Sequence, residues 1–280
     1  MEKLDVFVFL HDGRKYIKKI IDEFNNQIID AKKELFFVVT DTGDGSIEEL
    51  KELNQNVISI KENEFSHSLT REKVLFNSSA DIAILLTQDC RLVNNDAYEK
   101  LSKCIDEEVK FAYLRQKNSN FTIERYTRKI NYPKKSKIKD KSLIEKEGLN
   151  TFFASDACAA YDVSFFKEIN GYDNKNLPTN EDMYYARKVI LADKKVKYCA
   201  DTFCDHTHKF KLKEIKARYY LVGKFFKENP EFKEYKSNKA GLKLAIKVLG
   251  LILITFNIPQ WFMFIPNMLS RYKGKKEGEK

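Results

Sequence analysis

Three solid apolar runs, at residues 5–10 (DVFVFL), 34–40 (ELFFVVT) and 81–87 (DIAILLT), set the narrowest limits on how this chain can fold. A strand that alternates apolar and polar residues leaves one face in water, whereas a strand that is apolar at every position must be covered on both. Between the runs, apolar residues recur at helical spacing, as in Tyr16, Ile17, Ile20, Ile21 and Phe24. Shorter strands over 57–60 and 109–115, with helices over 47–53, 70–79 and 95–105, extend the alternation. The pattern predicts an α/β fold with a mostly parallel central sheet and helices on both faces. In open sheets of this kind, ligands sit beyond the carboxyl ends of the strands. Each strong run ends there in polar residues: His11-Asp12, Asp41-Thr42-Gly43-Asp44 and Gln88-Asp89.

The rhythm breaks after Arg115. Residues 118–150 are polar, basic and long for a connection, so they read as a functional loop or an acceptor-side element. Asp162 then caps a short apolar helix that Gly171 terminates, Asn180 offers a cap for a helix over 181–192, and a strand follows over 195–200. Residues 1–210 form the α/β domain in this reading, and residues 211–280 form a C-terminal helical part. Residues 240–256 are apolar with Lys243 and Lys247 on the early turns, while 257–269 carry Pro259, Trp261 and Pro266. The window 248–269 is long enough to span a bilayer, but Asn257, Pro259, Gln260, Pro266 and Asn267 interrupt it. A helix pair lying among lipid headgroups is the expectation, with docking on a partner or a true span as alternatives.

The formal net charge of +9 favours anionic partners: a phosphorylated ligand, an anionic bilayer or nucleic acid. No nucleic-acid module accompanies the basic run 133–141, so nucleic acid is not expected. Five cysteines without a CxxC pair argue against a disulfide framework or a zinc site, and for reduced thiols in the cytoplasm. The N-terminal MEKLDVFVFLHD reads as a buried strand, not a signal peptide.

Several side chains could carry chemistry, each with a plainer alternative. Asp89 closes the most apolar strand: it is either a ligand for a hard divalent cation or the first residue of a turn. Asp41 in DTGDGS either accepts from a nucleobase or ribose or belongs to an Asp/Gly turn with Ser46 as cap. His67 and Arg71 stand at a helix start, as diphosphate ligands or as ordinary members of a capped helix. Glu181 and Asp182 occupy an acidic first turn whose dipole keeps carboxylates ionised; either could act as a general base. His206 and His208, in CDHTHK, offer a third contact to metal or phosphate.

In order, these pieces resemble the inverting glycosyltransferases of family two, which have the Rossmann-like GT-A fold, and within them bacterial rhamnosyltransferases. The motifs are EFSHSLTR, LLTQDC, AYLRQ, IERYTRKINYP, TFFASDACAAY and NEDMYYARK, between about Leu4 and Tyr235. The resemblance implies that Asp41 contacts the base or ribose of a nucleotide-sugar donor, and that Arg71, His67 and His206 lie at the diphosphate. It implies Mg²⁺ or Mn²⁺ on Asp89, with His206 as the second candidate ligand, and Asp182 as general base with Glu181 second. Arg115, Gln116, Arg125 and Arg128 fall on the acceptor side. The departures are Thr87 for the first Asp of a DxD element, LHDG for a Tyr-Asn pair, Glu72 for an Asn, and Asp156 for the Asn of SNACAAY. The function implied is transfer of a sugar, with L-rhamnose from dTDP-L-rhamnose leading, to a glycan or lipid-linked acceptor at the inner face of the cell membrane. The alternatives are a UDP-hexose donor, a non-catalytic scaffold of polysaccharide assembly, or a basic membrane- or nucleic-acid-binding protein.

Overall fold

A computed structural model describes residues 1–207, 209–236 and 240–280; His208 lies outside the described residues. The first half is β1 (Lys3–Leu10), α1 (Ile17–Asn25), β2 (Lys32–Asp41), α2 (Ser46–Glu52), β3 (Asn56–Lys61), α3 (His67–Asn77), β4 (Ile82–Thr87), β5 (Cys90–Leu92), α4 (Ala97–Ser102) and β6 (Val109–Lys117). Next come α5 (Ile123–Asn131), β7 (Lys137–Lys139), α6 (Ile144–Glu147), β8 (Cys158–Asp162), α7 (Val163–Glu168), α8 (Glu181–Leu191) and β9 (Lys195–His206). Three helices end the chain: α9 (Leu212–Glu228), α10 (Ala240–Ile254) and α11 (Ile258–Gly278).

The strands form one sheet in the order β3-β2-β1-β4-β8-β6-β9-β5, with β7 also on β9. Side chains alternate across it as the pleat requires. Val6, Val8 and Leu10 of β1 enter one apolar layer with Ile84 and Leu86 of β4 and with α1, α2 and α4. Phe7 and Phe9 enter the other, with Ala83, Leu85 and residues of α3, α7 and α8. Both faces are therefore dry, as the uniform apolar runs demand. The sheet is parallel from β3 to β4 but mixed beyond, because β8 runs antiparallel to both β4 and β6. The chain order turns back between β1 and β4, which opens a crevice at their carboxyl ends.

Residues 118–150 are not a loop. Ile123 and Tyr126 of α5 pack on Val248 and Ile252 of α10 and on Phe264 of α11, and the Tyr126 hydroxyl lies 2.7 Å from Thr255 Oγ1. The partner that stabilises α5 lies more than a hundred residues away, so local periodicity could not reveal it. Strand β9 also outruns its polar residues, continuing past a register shift to His206 while β5 pairs with its far end. Of the expected caps, Asp162 accepts from Phe165 N at 2.9 Å. Ser46 is instead the first residue of α2, and its amide donates to Asp44 at 2.9 Å.

Helix α9 borders the functional cavity, and α11 packs along α9 through Gly223, Gly274 and Gly278. Among the described residues no helix is long and apolar enough to cross a membrane. Helix α11 runs through Pro266 as a single helix to Gly278, so the basic stretch 271–278 (RYKGKKEG) is helical.

Candidate active site

A cavity of about 580 Å³ opens at the carboxyl edge of the sheet. The ends of β4, β6 and β9 reach it, as do the segment entering β8 and the first turns of α3 and α8. Asp89 and His206 meet there because of the sheet ladder: Cys90 of β5 is the register partner of His206, and this sets Asp89 Oδ1 3.4 Å from His206 Nε2. On the other ring nitrogen, Nδ1 lies 2.9 Å from Gln116 Oε1, which also accepts from Arg128. Gln116 Nε2 donates to Ser155 Oγ at 2.6 Å. An amide oxygen can only accept, so this network places a proton on Nδ1. Burial pushes the His206 pKa down against the pull of Asp89, which favours the neutral ring.

A carboxylate and an imidazole 3.4 Å apart are two donor types that a divalent ion accepts. The pair therefore fits a divalent ion. Among the described residues no group of three His, Cys, Asp or Glu side chains forms a ready-made metal cage. Two protein ligands completed by phosphate and water oxygens is a pattern that divalent-cation sites use.

Arg71 holds together a second group of residues. It is 4% exposed, with Nε 3.4 Å from Asp156 and 3.6 Å from Glu181. Its Nη1 donates to His67 O at 2.8 Å, and the guanidinium stacks on Phe9 at 4.6 Å. Asp156 also accepts from Tyr161 and, at 3.4 Å, from Tyr172. Asp182 follows Glu181 and is less buried, its Oδ1 accepting from Met183 N at 2.7 Å. Three carboxylates around one guanidinium cannot all stay charged in a partly dry site. Burial, then Glu181 and Asp156, drives the Asp182 pKa well above the carboxylate range. Burial also lifts Asp156 to about 6 despite Arg71. This reverses the helix-dipole expectation for Asp182, because the dipole's effect is small beside desolvation and two like charges. Asn180 sits at the N-cap position with φ 60° and makes no side-chain cap bond.

Asp182, Glu181, Arg71, His67, Asp89, His206, Gln116 and Arg128 thus all line one cavity. Asp41 does not. It is exposed at the end of β2, its Oδ1 3.3 Å from Gly43 N, in a loop tied to the end of β1 by a 2.7 Å bond from Thr42 Oγ1 to Asp12. Arg115 is separated from Gln116 because neighbours on a strand face opposite ways, and it is not among the lining residues. Arg125 stacks on Phe121 at 4.3 Å and borders a different hollow. Two charged lining residues, Asp156 and Arg218, were not foreseen as site residues. Asp156 is visible in the sequence only as a departure from a motif. Arg218 of α9 has no local signal, being one of many basic residues among the aromatics of 211–227.

The Glycosyl transferase family 2 model matches residues 5–170. The O-antigen chain rhamnosyltransferase RfbN of Salmonella typhimurium is 28% identical over 99% of this chain and 90% of its own. The O-antigen chain rhamnosyltransferase WbaN of Salmonella anatum is 30% identical over 80% of this chain and 72% of its own. Among solved structures, the mannosyltransferase PcManGT from Pyrobaculum calidifontis, in complex with GDP-Man and Mn²⁺, aligns with a TM-score of 0.64 at 12% identity. That alignment covers 99% of this chain and 88% of the mannosyltransferase, and establishes a shared fold.

Proposed function

Because the chain belongs to glycosyl transferase family 2 and is a glycosyltransferase, we propose that it moves L-rhamnose from dTDP-L-rhamnose onto a glycan acceptor during O-antigen synthesis. The names of the two rhamnosyltransferase relatives support the donor sugar and the pathway. The observation that carries the mechanism is the placing of a carboxylate of raised pKa, Asp182, in the same cavity as the Asp89–His206 pair.

Asp182 takes the proton of the acceptor hydroxyl, whose oxygen attacks the anomeric carbon as the bond to the diphosphate breaks, and the configuration inverts. A base is most effective when its pKa lies near the working pH, which a raised carboxylate approaches. Glu181 is the weaker candidate, since it is 7% exposed and paired with Arg71. Asp89 and His206 would hold a divalent cation, which would neutralise the leaving diphosphate. Arg128 and Arg218 border the same space and add fixed positive charge. Arg71, enclosed by Asp156 and Glu181, positions the first turn of α8 rather than binding the diphosphate itself. The nucleoside lies towards the ends of β1 and β2, where Asp41 is in reach of the base or ribose.

The apolar outer face of α10 and α11 rests on the inner leaflet of the membrane. Ile254, Phe256 and Phe262 are each at least 75% exposed there. A panel of nucleotide sugars titrated with Mn²⁺ present tests the donor, and binding of a UDP-hexose in preference to dTDP-L-rhamnose would remove the rhamnosyl assignment. Replacing Asp182→Asn is expected to cut turnover by about 10²–10⁴-fold while donor affinity stays the same. Turnover equal to the parent's would take Asp182 out of the role.

A further inference from the structure

Behind the Asp89–His206 pair stands a buried amide. Gln116 is 2% exposed and lies on β6 beside Cys204, two residues before His206 on β9. Its side chain is held on three sides. Oε1 faces His206 Nδ1 at 2.9 Å and accepts from Arg128 Nη1, while Nε2 donates to Ser155 Oγ at 2.6 Å. Ser155 precedes Asp156, and both line the cavity, so one amide joins the Asp89–His206 half of the site to the carboxylate half.

The three partners do not constrain the amide equally. A hydroxyl both donates and accepts, so Ser155 is satisfied by either end of the amide. A neutral imidazole is as tolerant, because either ring nitrogen can carry its proton. A guanidinium only donates. Arg128 alone therefore requires the amide oxygen, and that oxygen in turn requires a proton on Nδ1. In the opposite orientation the amide nitrogen would donate to Nδ1, the ring proton would sit on Nε2, and Nε2 would donate to Asp89. A histidine bonded to Asp89 in that way has no lone pair to give an ion. The orientation that Arg128 imposes leaves Nε2 as the ligating nitrogen.

We propose, on the reading that Asp89 and His206 hold the cation, that Gln116 is a positioning residue for that cation and that Arg128 keeps Nε2 available by fixing which end of the amide faces the ring. Gln116 and Arg128 thereby pass from the acceptor side, where the family resemblance sets them, to the support of the metal pair. Partners that orient a ligating histidine in this way are worth about 10–100-fold in metal affinity. Helix α5, which carries Arg128, is itself tied to α11, since Glu124 one turn earlier meets Arg271 Nη2 at 2.5 Å.

The ring of His206 tests the orientation in the metal-free chain, before any sugar or nucleotide is added. Nitrogen-15 NMR at about pH 8, above the ordinary histidine range, shows which ring nitrogen holds the proton, and His206→Gln assigns the signals. The parent is expected to carry it on Nδ1. Gln116→Leu, which removes the acceptor, should move the proton to Nε2 and weaken Mn²⁺ binding, read by electron paramagnetic resonance with the metal alone, by about 10–100-fold. Gln116→Glu restores an oxygen that only accepts, and should return the proton to Nδ1 with most of the Mn²⁺ affinity. Arg128→Met leaves the amide free to turn and should give ring shifts between the two tautomers. These last two variants carry the test if Gln116→Leu does not fold. A parent ring protonated on Nε2, or folded Gln116→Leu and Arg128→Met with the parent's tautomer and Mn²⁺ affinity, overturns the proposal. So does a rise in the acceptor KM with Mn²⁺ binding unchanged, which would return both residues to the acceptor side. A parent that holds the proton on Nδ1 yet binds no Mn²⁺ strikes instead the metal reading, and the positioning role falls with it.

Discussion

Asp156, Glu181 and Asp182 surround the single guanidinium of Arg71, and this excess of negative charge sets the acid–base behaviour of the site. Asp182 must lose its proton before it can accept one from the acceptor, so turnover should fall as the pH drops through its raised pKa. Asp156 is one of the charges that raise it. Asp156→Asn keeps the shape and removes that charge, so the acidic limb of the kcat–pH profile should move to lower pH. A limb that stays where it was would mean that another group titrates there. The family motif marked both Asp182 and Asp89 in the sequence, but their states were not legible. A first-turn carboxylate looks ionised until its burial and its two carboxylate neighbours are known, and Asp156 comes from a segment 26 residues earlier. The partnership of Asp89 with His206 was also hidden, because it depends on the pairing of a three-residue strand with the last residues of a twelve-residue one.

The strands with uniform apolar sequence were legible, since burial on both faces leaves a signature in every residue. Elements that owe their stability to distant partners were not: α5 depends on α10 and α11, and the far half of β9 depends on β5 and β6. Helix α9 belongs to this second group. A Cβ on Gly223 would lie 2.1 Å from Lys275 O, one on Gly274 2.2 Å from Lys216 O, and one on Gly278 2.0 Å from Tyr220 O. Backbones this close leave no room for a side chain. Gly278→Leu is expected to cost about 1–3 kcal/mol by forcing the helices apart, and to lower Tm by roughly 3–10 °C in a chain of this size. Gly250→Ala, within α10 and with open space around it, should instead be neutral or gain up to about 1 kcal/mol. Thermal unfolding of the two variants side by side checks the contrast, and similar shifts would show that the close approach of α9 and α11 is not what the glycines serve.

At the scale of the whole molecule, basic and apolar surfaces lie close together. Lys243 and Lys247 begin a helix hairpin whose outer residues, among them Ile254, Phe256 and Phe262, face solvent. Apolar residues flanked by lysines match an anionic lipid surface. Ile254→Glu/Phe262→Glu is expected to abolish cosedimentation with anionic vesicles and to leave Tm within a few degrees, since both side chains are exposed. Sedimentation equal to the parent's would assign the hairpin another partner.

The clamp of α11 on α9 has a consequence for synthesis. Arg218 reaches the cavity on α9, and α9 is held in place by glycines that lie some fifty residues later. A chain emerging from the ribosome can pair its sheet strands long before that clamp exists. Until residues 274–278 have left the exit tunnel, the contacts that hold α9, and with it Arg218, beside the cavity cannot form.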